Sequence, residues 1–291
     1  MKVVFCLDDK PQYLLLLKGA VRSLRAVHGE NAPCLVVYAG NDERVLNAIE
    51  AENIPLARHK PYLHFHNMAP CTHRVMGAFL KLELSLLPEL ANDDVVLYCD
   101  TDVFFNKPLA DLEKIIPPYL GMAREQTAPF FPDHESFTYT HRGREYTVPM
   151  PFPIWTYNSG VVLFNLKQLR KRDYIYNFLD FCWQVSDRIG NFDQSMVNYF
   201  FGKRITKLNP MYNCPPYMPD SKEHGIIVHF HGPKPWEIHN LLWDELRGEH
   251  FDYFRKRWLD LMNEEELAEI ELMEEVQKKE RAQKLAAKNK K

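Results

Sequence analysis

Two kinds of hydrophobic pattern alternate over the first hundred residues. Short runs that are apolar almost throughout occupy Lys2–Leu7, Cys34–Tyr38 and 94–99. Because a strand covered on both faces has no polar alternation, these runs predict buried strands of a parallel sheet. The segments between them carry apolar residues on one face and predict helices, the second of them capped by Asn41 or Asp42. The predicted helices begin at Pro11 and span 41–52 and 77–87.

The pattern changes between about residues 124 and 157, where proline, aromatic and charged residues surround a turn at Arg142-Gly143. We interpret this stretch as a long excursion from the sheet, and such excursions often bind ligands. Its aromatic residues either contact an acceptor sugar or form a small core of their own. They are Phe130, Phe131, Phe137, Tyr139, Tyr146, Phe152 and Trp155.

Beyond the excursion, the apolar pattern predicts further elements and then a charged end. Strands are expected at 159–166 and 226–230, and helices at 169–185 and 193–200. Residues 1–250 are predicted to form one domain. Residues 251–291 are predicted to form a charged helical extension that projects or is partly disordered. Docking to a membrane surface or a partner protein is one interpretation of this extension, and a solvated tail is the other.

Composition excludes several classes of protein. The chain has 291 residues, 46% of them hydrophobic, and a net charge of -3, so we expect no nucleic-acid partner. The six cysteines lack the close-paired spacing of a disulfide framework or zinc site. The apolar run at the N-terminus is too short for a signal peptide or a spanning helix, which predicts a cytoplasmic protein.

Two aspartates follow the third apolar strand, in the segment Asp100-Thr101-Asp102. Residues at i and i+2 of an extended segment point the same way, so both carboxylates are expected to project together from the strand's carboxyl end. That end is where open α/β sheets bind ligands. Paired carboxylates favour Mg²⁺ or Mn²⁺ over zinc or copper. The alternative is a turn with two solvated aspartates.

A second candidate segment runs from Ile226 to Trp236 and contains His229, His231, Gly232 and Lys234. A strand would place both histidines on one face, and Gly232 permits close approach of the backbone. Imidazole can complete a carboxylate metal site, and lysine can neutralise a phosphate. The alternative is a histidine packed in the core beside an ordinary turn.

Six motifs in order along the chain resemble glycosyltransferase family 8, which includes glycogenin and bacterial lipooligosaccharide α-galactosyltransferases. The resemblance covers most of residues 1–240 and implies a GT-A fold, a mixed Rossmann-like sheet flanked by helices. It also implies a UDP-sugar donor, Mn²⁺ (or Mg²⁺) and retention of the anomeric configuration. The motifs are residues 4–9 with Tyr13, 80–82, 98–102, 157–161, Asp193-Gln194 with Asn198, and 229–236.

The resemblance also implies a role for each matching residue. Asp8 would contact the uracil and Tyr13 would stack on it, while Asp100, Asp102 and His229 would bind the metal. Lys234 would hold the diphosphate, Thr101 and Gly232 would also belong to the nucleotide-sugar site, and Lys81, Asn158, Ser159, Asp193 and Gln194 would line the donor-sugar pocket. The last motif departs from the family pattern, because one residue fewer separates Gly232 from Lys234. His231 competes with His229 as the ligand, but the spacing of His229 to Gly232 matches the family.

The resulting hypothesis is a retaining hexosyltransferase that uses UDP-glucose or UDP-galactose and a hydroxyl acceptor on a glycan or glycolipid. Gln194 and Asp193 are its candidate catalytic residues. Because the amide of Gln194 is a poor nucleophile, the hypothesis favours front-face attack over a double displacement of the glycosidase type. A nucleotidyltransferase is a first alternative, although residues 7–13 contain no glycine for a phosphate loop. A non-catalytic protein that binds nucleotide sugars is the second.

Overall fold

The computed structural model describes residues 1–63, 76–126, 136–149, 156–189, 192–237 and 244–288. Its strands are β1 Lys2–Leu7, β2 Cys34–Tyr38, β3 Leu56–Arg58, β4 Val95–Cys99, β5 Val103–Phe105, β6 Leu120–Arg124, β7 Phe137–His141, β8 Arg144–Val148, β9 Tyr157–Asn165, β10 Ile205–Lys207 and β11 Ile227–His229. Its helices are α1 Pro11–His28, α2 Glu43–Ala51, α3 Met76–Leu80, α4 Leu166–Leu169, α5 Tyr174–Val185, α6 Phe192–Phe201, α7 Ser221–His224, α8 Glu249–Leu259 and α9 Glu264–Lys288.

Within these residues a seven-stranded sheet has the order β10-β6-β9-β4-β1-β2-β3. β9 runs antiparallel to β4 and β6, whereas the other neighbouring pairs are parallel. Apolar clusters cover both faces of the sheet, which explains the unbroken hydrophobic runs in β1, β2 and β4. The predicted α/β fold with a mixed sheet flanked by helices is therefore confirmed.

Two predicted helices differ from those observed. The segment predicted at 77–87 is α3 followed by a tighter 3-10 helix, Lys81–Leu86. The helix predicted at 169–185 begins at Tyr174, because Asp173 has a positive φ of 57° and interrupts it. The short strands β3, β5, β6 and β10 lie outside the predicted strands.

A two-stranded sheet of β5 and β11 lies beside the main sheet and brings two distant segments together. Ile227 pairs with Phe105 and His229 pairs with Val103 in antiparallel register. The pairing places the residues after β4 next to the end of β11. The segment around Asp102 and the late histidine segment are thus neighbours, although more than 120 residues separate them in sequence.

The excursion forms a hairpin of β7 and β8 whose turn residues, Arg142 and Gly143, both have positive φ, as a type I′ turn requires. Phe137 and Tyr139 are buried against α5 and α6. For these two aromatic residues the structure favours the small-core interpretation. Tyr146 is 37% exposed. The remaining candidates, Phe130, Phe131, Phe152 and Trp155, lie outside the described residues.

The segment after residue 250 contributes to the core. In α8, Phe251, Phe254 and Trp258 are buried against α1, β5 and β11. A Cβ atom on Gly19 of α1 would lie 2.0 Å from Trp258, so glycine permits this close packing. The division of the chain at residue 250 stays a prediction, although α8 packs tightly on the preceding residues.

Helix α9 is anchored at its first turn. Asn263 and Glu266 form a reciprocal capping box, in which each backbone N–H donates to the other residue's side chain. Leu272 and Val276 are exposed farther along, and the docking interpretation for this helix stays a prediction. Among the described residues, no helix is both long enough and apolar enough to cross a membrane. Cys71 lies outside the described residues, and the other five cysteines are buried free thiols.

The anchor of α9 generates a pH-dependent prediction. Burial of Glu266 opposes its charge, but hydrogen bonds from Arg22 and Lys18 outweigh it and lower the pKa of Glu266 from 4.5 to about 2. A carboxylate with a lowered pKa stabilises the fold above its unfolded pKa and loses that contribution as pH falls through the folded value. Urea denaturation should therefore show a loss of stability between about pH 4.5 and pH 2.

The variant Glu266→Gln isolates this effect. It should be less stable than the wild type at pH 7 and lose less stability over the acidic window. Glu265→Gln, at a neighbouring exposed position, is the control and should keep the wild-type dependence. Equal slopes of stability against pH for the Glu266→Gln variant and the wild type would contradict the assignment.

Candidate active site and metal cluster

Three predicted metal ligands converge where β4 ends and β11 ends. Ligand atoms of Asp100, Asp102 and His229 all lie within 4.8 Å of one another. His229 Nε2 lies 3.2 Å from Oδ1 of Asp102 and 3.9 Å from Oδ2 of Asp100. The geometric expectation that a strand-end carboxylate pair meets a distant imidazole is confirmed.

Each aspartate turns one oxygen towards His229 and gives the other to a lysine. Lys234 Nζ donates to Oδ2 of Asp102, and Lys81 Nζ donates to Oδ1 of Asp100 at 3.1 Å. Tyr98 also donates its hydroxyl to Oδ1 of Asp100. One oxygen of each carboxylate and one imidazole nitrogen therefore face a common point, which suits a divalent cation.

Burial and charge set the ionisation of these groups. Burial opposes the charge of Asp102, but Lys234 and His229 outweigh it and hold the pKa of Asp102 below its usual range. Burial also opposes the charge of Lys81, yet Asp100 and Asp193 raise the pKa of Lys81. Burial and the charge of Asp100 raise the pKa of Tyr98 well above its usual value, so its phenol remains a donor. Lys234 and His229 thus favour the charged form of Asp102, and the neighbouring aspartates favour the charged form of Lys81.

A cavity of about 210 Å³ opens beside the cluster. Among the predicted site residues its walls include Asp8, Tyr13, Asp100, Thr101, Asp102 and Lys234. Asp8 accepts hydrogen bonds from the backbone N–H groups of Lys10 and Gly77. A Cβ on Gly77 would lie 3.3 Å from the backbone nitrogen of Asp8. Helix α3 therefore packs tightly against the backbone that follows β1.

The residues predicted to line the donor-sugar pocket form a connected network instead of lining this cavity. Lys81 is 1% exposed, and its Nζ lies within 3.1 Å of Asp100 Oδ1, Ser159 O and Asp193 Oδ2. These three acceptors match the three N–H donors of an ammonium group. Ser159 donates its hydroxyl to Asp193 and its backbone N–H to Gln194 Oε1. Lys81 is therefore a buried link between the aspartates.

The last motif turns sharply after β11. Gly232 has a φ of +98°, which favours glycine, and the turn leads to Lys234. Lys234 Nζ also donates to the carbonyl of Phe230 at 2.9 Å. His231 lies apart from the three-ligand cluster, with Nε2 3.7 Å from Glu125 Oε2. The structure thus brings His229, and not His231, into the group of candidate metal ligands.

Several residues around the cluster were not assigned a role from the sequence. A Cβ on Gly160 would lie 2.2 Å from Cε1 of His229, so the imidazole packs directly on the backbone of β9. His229 Nδ1 lies 2.9 Å from Oδ1 of Asn213, and Glu125 accepts a hydrogen bond from Asn158. Glu125 follows β6, so a prediction of that short strand would have indicated a strand-end carboxylate. No local pattern marks Asn213.

A second cavity, of about 700 Å³, lies between the hairpin and the C-terminal end of α6. Aromatic residues dominate its walls, and Arg204 lies over the rings of Tyr174 and Phe200. Asp193 and Gln194 stand at the opposite end of α6. This cavity is therefore separate from the carboxylate–imidazole cluster.

Comparison with solved structures supports the fold. The crystal structure of the galactosyltransferase LgtC with donor and acceptor sugar analogs has a TM-score of 0.66 and 22% identity, covering 91% of this chain and 98% of that one. The apo form of the glycosyltransferase GlyE of Streptococcus pneumoniae TIGR4 has a TM-score of 0.56 and 17% identity, covering 89% of this chain and 63% of that one.

Sequence comparison gives the family. A probable glycosyl transferase, Gly, of Streptococcus gordonii is 29% identical over 89 residues, which are 28% of this chain and 13% of that protein. This match therefore spans a small part of the relative. The sequence profile of glycosyl transferase family 8 matches residues 2–239, which is most of the chain. The chain belongs to glycosyltransferase family 8.

Proposed function

We propose that this protein transfers a hexose from UDP-glucose or UDP-galactose to a hydroxyl group of a glycan or glycolipid, with retention of configuration and dependence on Mn²⁺. The observation that supports this most is the set of three ligand atoms facing one point beside the strand-end cavity. A divalent ion and a nucleotide diphosphate are what such a site would hold. Membership of the family supports the reaction class.

The residues fit a divalent ion. Ligand atoms on opposite sides of a Mg²⁺-sized ion lie about 4 Å apart. This is close to the distance of 3.9 Å between His229 Nε2 and Asp100 Oδ2. Asp100 Oδ2, Asp102 Oδ1 and His229 Nε2 would hold it. When bound, the ion would supply positive charge to the phosphate oxygens of the leaving group.

Different residues around the cavity would recognise the base and the diphosphate of the nucleotide. Asp8 and Tyr13 would contact the uracil, the first by a hydrogen bond and the second by stacking. Lys234, held beside Asp102, would move its ammonium to the diphosphate, with Thr101 and Gly232 placing backbone close to it. Burial is the main cause of the raised pKa of Tyr13, so its ring stays neutral for stacking.

The network on the other side of the cluster would position the sugar. Asp193 is held by Lys81 and Ser159, and its carboxylate would form hydrogen bonds with sugar hydroxyls. Gln194 would stabilise positive charge that develops at the anomeric carbon. Front-face attack by the acceptor, guided by the leaving phosphate, then gives retention without a covalent intermediate.

The first prediction of this proposal concerns the metal. Asp100→Asn and Asp102→Asn each remove a charged ligand, so metal-dependent release of hexose from UDP-sugars should fall by at least about 10²-fold. The assay is slow hydrolysis across a panel of UDP-sugars with Mn²⁺ and no acceptor. Asp111→Asn, at an exposed surface pair, is the control and should be as active as the wild type.

The same panel separates the alternatives. Undiminished activity of either ligand variant would refute the metal assignment. Pyrophosphate release from a nucleoside triphosphate and a sugar phosphate would indicate a nucleotidyltransferase. Tight binding of Mn²⁺ and UDP without turnover of any donor would indicate a non-catalytic binding protein.

A further prediction concerns Gln194. Removing its amide in Gln194→Ala should lower kcat by roughly 10–10³-fold with a smaller effect on KM, since the interaction strengthens as charge develops. Steady-state kinetics with the preferred donor measures both constants. Gln168→Ala, in the short helix α4, serves as the control. A change confined to KM would show that Gln194 contributes to binding alone.

The last prediction of this section concerns Gly160. The added methyl group in Gly160→Ala would overlap the imidazole of His229 and displace it. Calorimetric titration should then show Mn²⁺ affinity reduced by at least roughly tenfold. Gly248→Ala is the control, because nothing lies within 4 Å of a Cβ there. Unchanged Mn²⁺ affinity in Gly160→Ala would remove His229 from the ligand set.

A further inference from the structure

The imidazole of His229 has two ring nitrogens with different neighbours. Nε2 faces Asp100 and Asp102, while Nδ1 lies 2.9 Å from Oδ1 of Asn213. A neutral imidazole carries one hydrogen, and its position decides which nitrogen can offer a lone pair to a cation. The partner of Nδ1 therefore determines whether His229 can serve as a ligand through Nε2.

Asn213 is held beside His229 by the backbone. It ends the 3-10 helix Pro210–Asn213, and the next residue, Cys214, bridges to β11. The N–H of Cys214 donates to Ile227, and the N–H of His229 donates to Cys214. Asn213 and His229 are both about 95% buried, so water does not compete for their contact.

The orientation of the Asn213 amide follows from a backbone group. The N–H of Gly160 can only donate, and it points at the Asn158 side chain at 2.9 Å, so the atom there is Oδ1. The same oxygen lies 2.8 Å from Asn213, which must present its NH₂ group. Asn213 then turns its oxygen to His229, and Nδ1 must carry the hydrogen.

The contact between Asn158 and Glu125 requires the same orientation of the two asparagine amides. Asn158 donates its NH₂ group to Oε2 of Glu125 at 2.7 Å. Amide orientations are ordinarily chosen from the surrounding network. Here a donor at one end and a carboxylate at the other both select one orientation for the two asparagines.

We infer that Asn213 is a positioning residue that fixes the tautomer and ring plane of His229, so that the Nε2 lone pair is directed at the point shared by the two aspartates. Asn158 acts through Asn213, and its contacts connect the metal cluster to Glu125. The inference rests on the proposed metal site, but its tests need neither a sugar donor nor turnover.

The first test reads the tautomer directly. In metal-free protein labelled with ¹⁵N-histidine, at a pH where imidazole is neutral, long-range ¹H–¹⁵N spectra distinguish hydrogen on Nδ1 from hydrogen on Nε2. The His229 signals are assigned by their loss in His229→Gln. Hydrogen on Nδ1 in the wild type is expected, and a ring with hydrogen on Nε2 alone would overturn the inference even if no Asn213 variant folds.

The second test is calorimetric titration with Mn²⁺ alone. Asn213→Ala should weaken Mn²⁺ binding by about 10–100-fold, the usual effect of removing a partner that orients a ligand. The control is Asn165→Ala, a similarly buried asparagine at the other end of β9 that bonds to Pro117 and Gln168. It should lose thermal stability without losing Mn²⁺ affinity.

The outcomes separate the inference from the proposed function. Equal losses of affinity in both variants would assign the effect to general instability and overturn the inference. Unchanged affinity in Asn213→Ala would also overturn it, whether or not the protein is an active transferase. Selective loss in Asn213→Ala, with no reaction of any UDP-sugar, would support the inference while refuting the function.

Discussion

The structure depends on the neutralisation of carboxylates that the fold brings together. Asp100, Asp102 and Asp193 meet around the end of β4, where burial makes uncompensated charge costly. Lys81 and Lys234 supply the compensation from opposite sides. Lys81 joins two of the aspartates, so it fixes their separation as well as their charge. The lysines offset two of the three negative charges, and a bound dication would leave the site with a net positive charge facing a diphosphate.

This requirement explains why segments far apart in sequence must meet. Lys81 lies on a 3-10 helix, Asp193 lies in the first turn of α6, and Lys234 lies in the turn after β11. The pairing of β11 with β5 sets the last of these, because it places His229 opposite Val103, the residue after Asp102. Packing of α8 on α1, through Trp258 and Gly19, covers the outer side of that small sheet. The stability of α8 therefore bears on the geometry of the cluster.

Local sequence patterns were sufficient to predict those parts of the site that a single strand positions. The apolar run of β4 and the i, i+2 spacing of Asp100 and Asp102 predicted a carboxylate pair at a strand end. The choice between His229 and His231 came from motif spacing, and in the structure it is His229 that lies beside the two aspartates. Asn213 could not be found this way, because the four-residue 3-10 helix that carries it is too short to show a hydrophobic period. Glu125 was missed with the five-residue β6, and the break before α5 was missed because only the backbone of Asp173 reveals it.

The use of an amide, that of Asn213, as the partner of His229 has a consequence for the net charge of the site. Metal-bound histidines often donate their second N–H to a carboxylate. A carboxylate at position 213 would add a further buried negative charge beside three that two lysines already leave incompletely balanced. The amide of Asn213 accepts the same hydrogen bond without adding charge. Its NH₂ group donates to Oδ1 of Asn158, which also accepts from the backbone N–H of Gly160, and these contacts fix the orientation of Asn213. A neutral relay can therefore orient the imidazole without changing the net charge of the site.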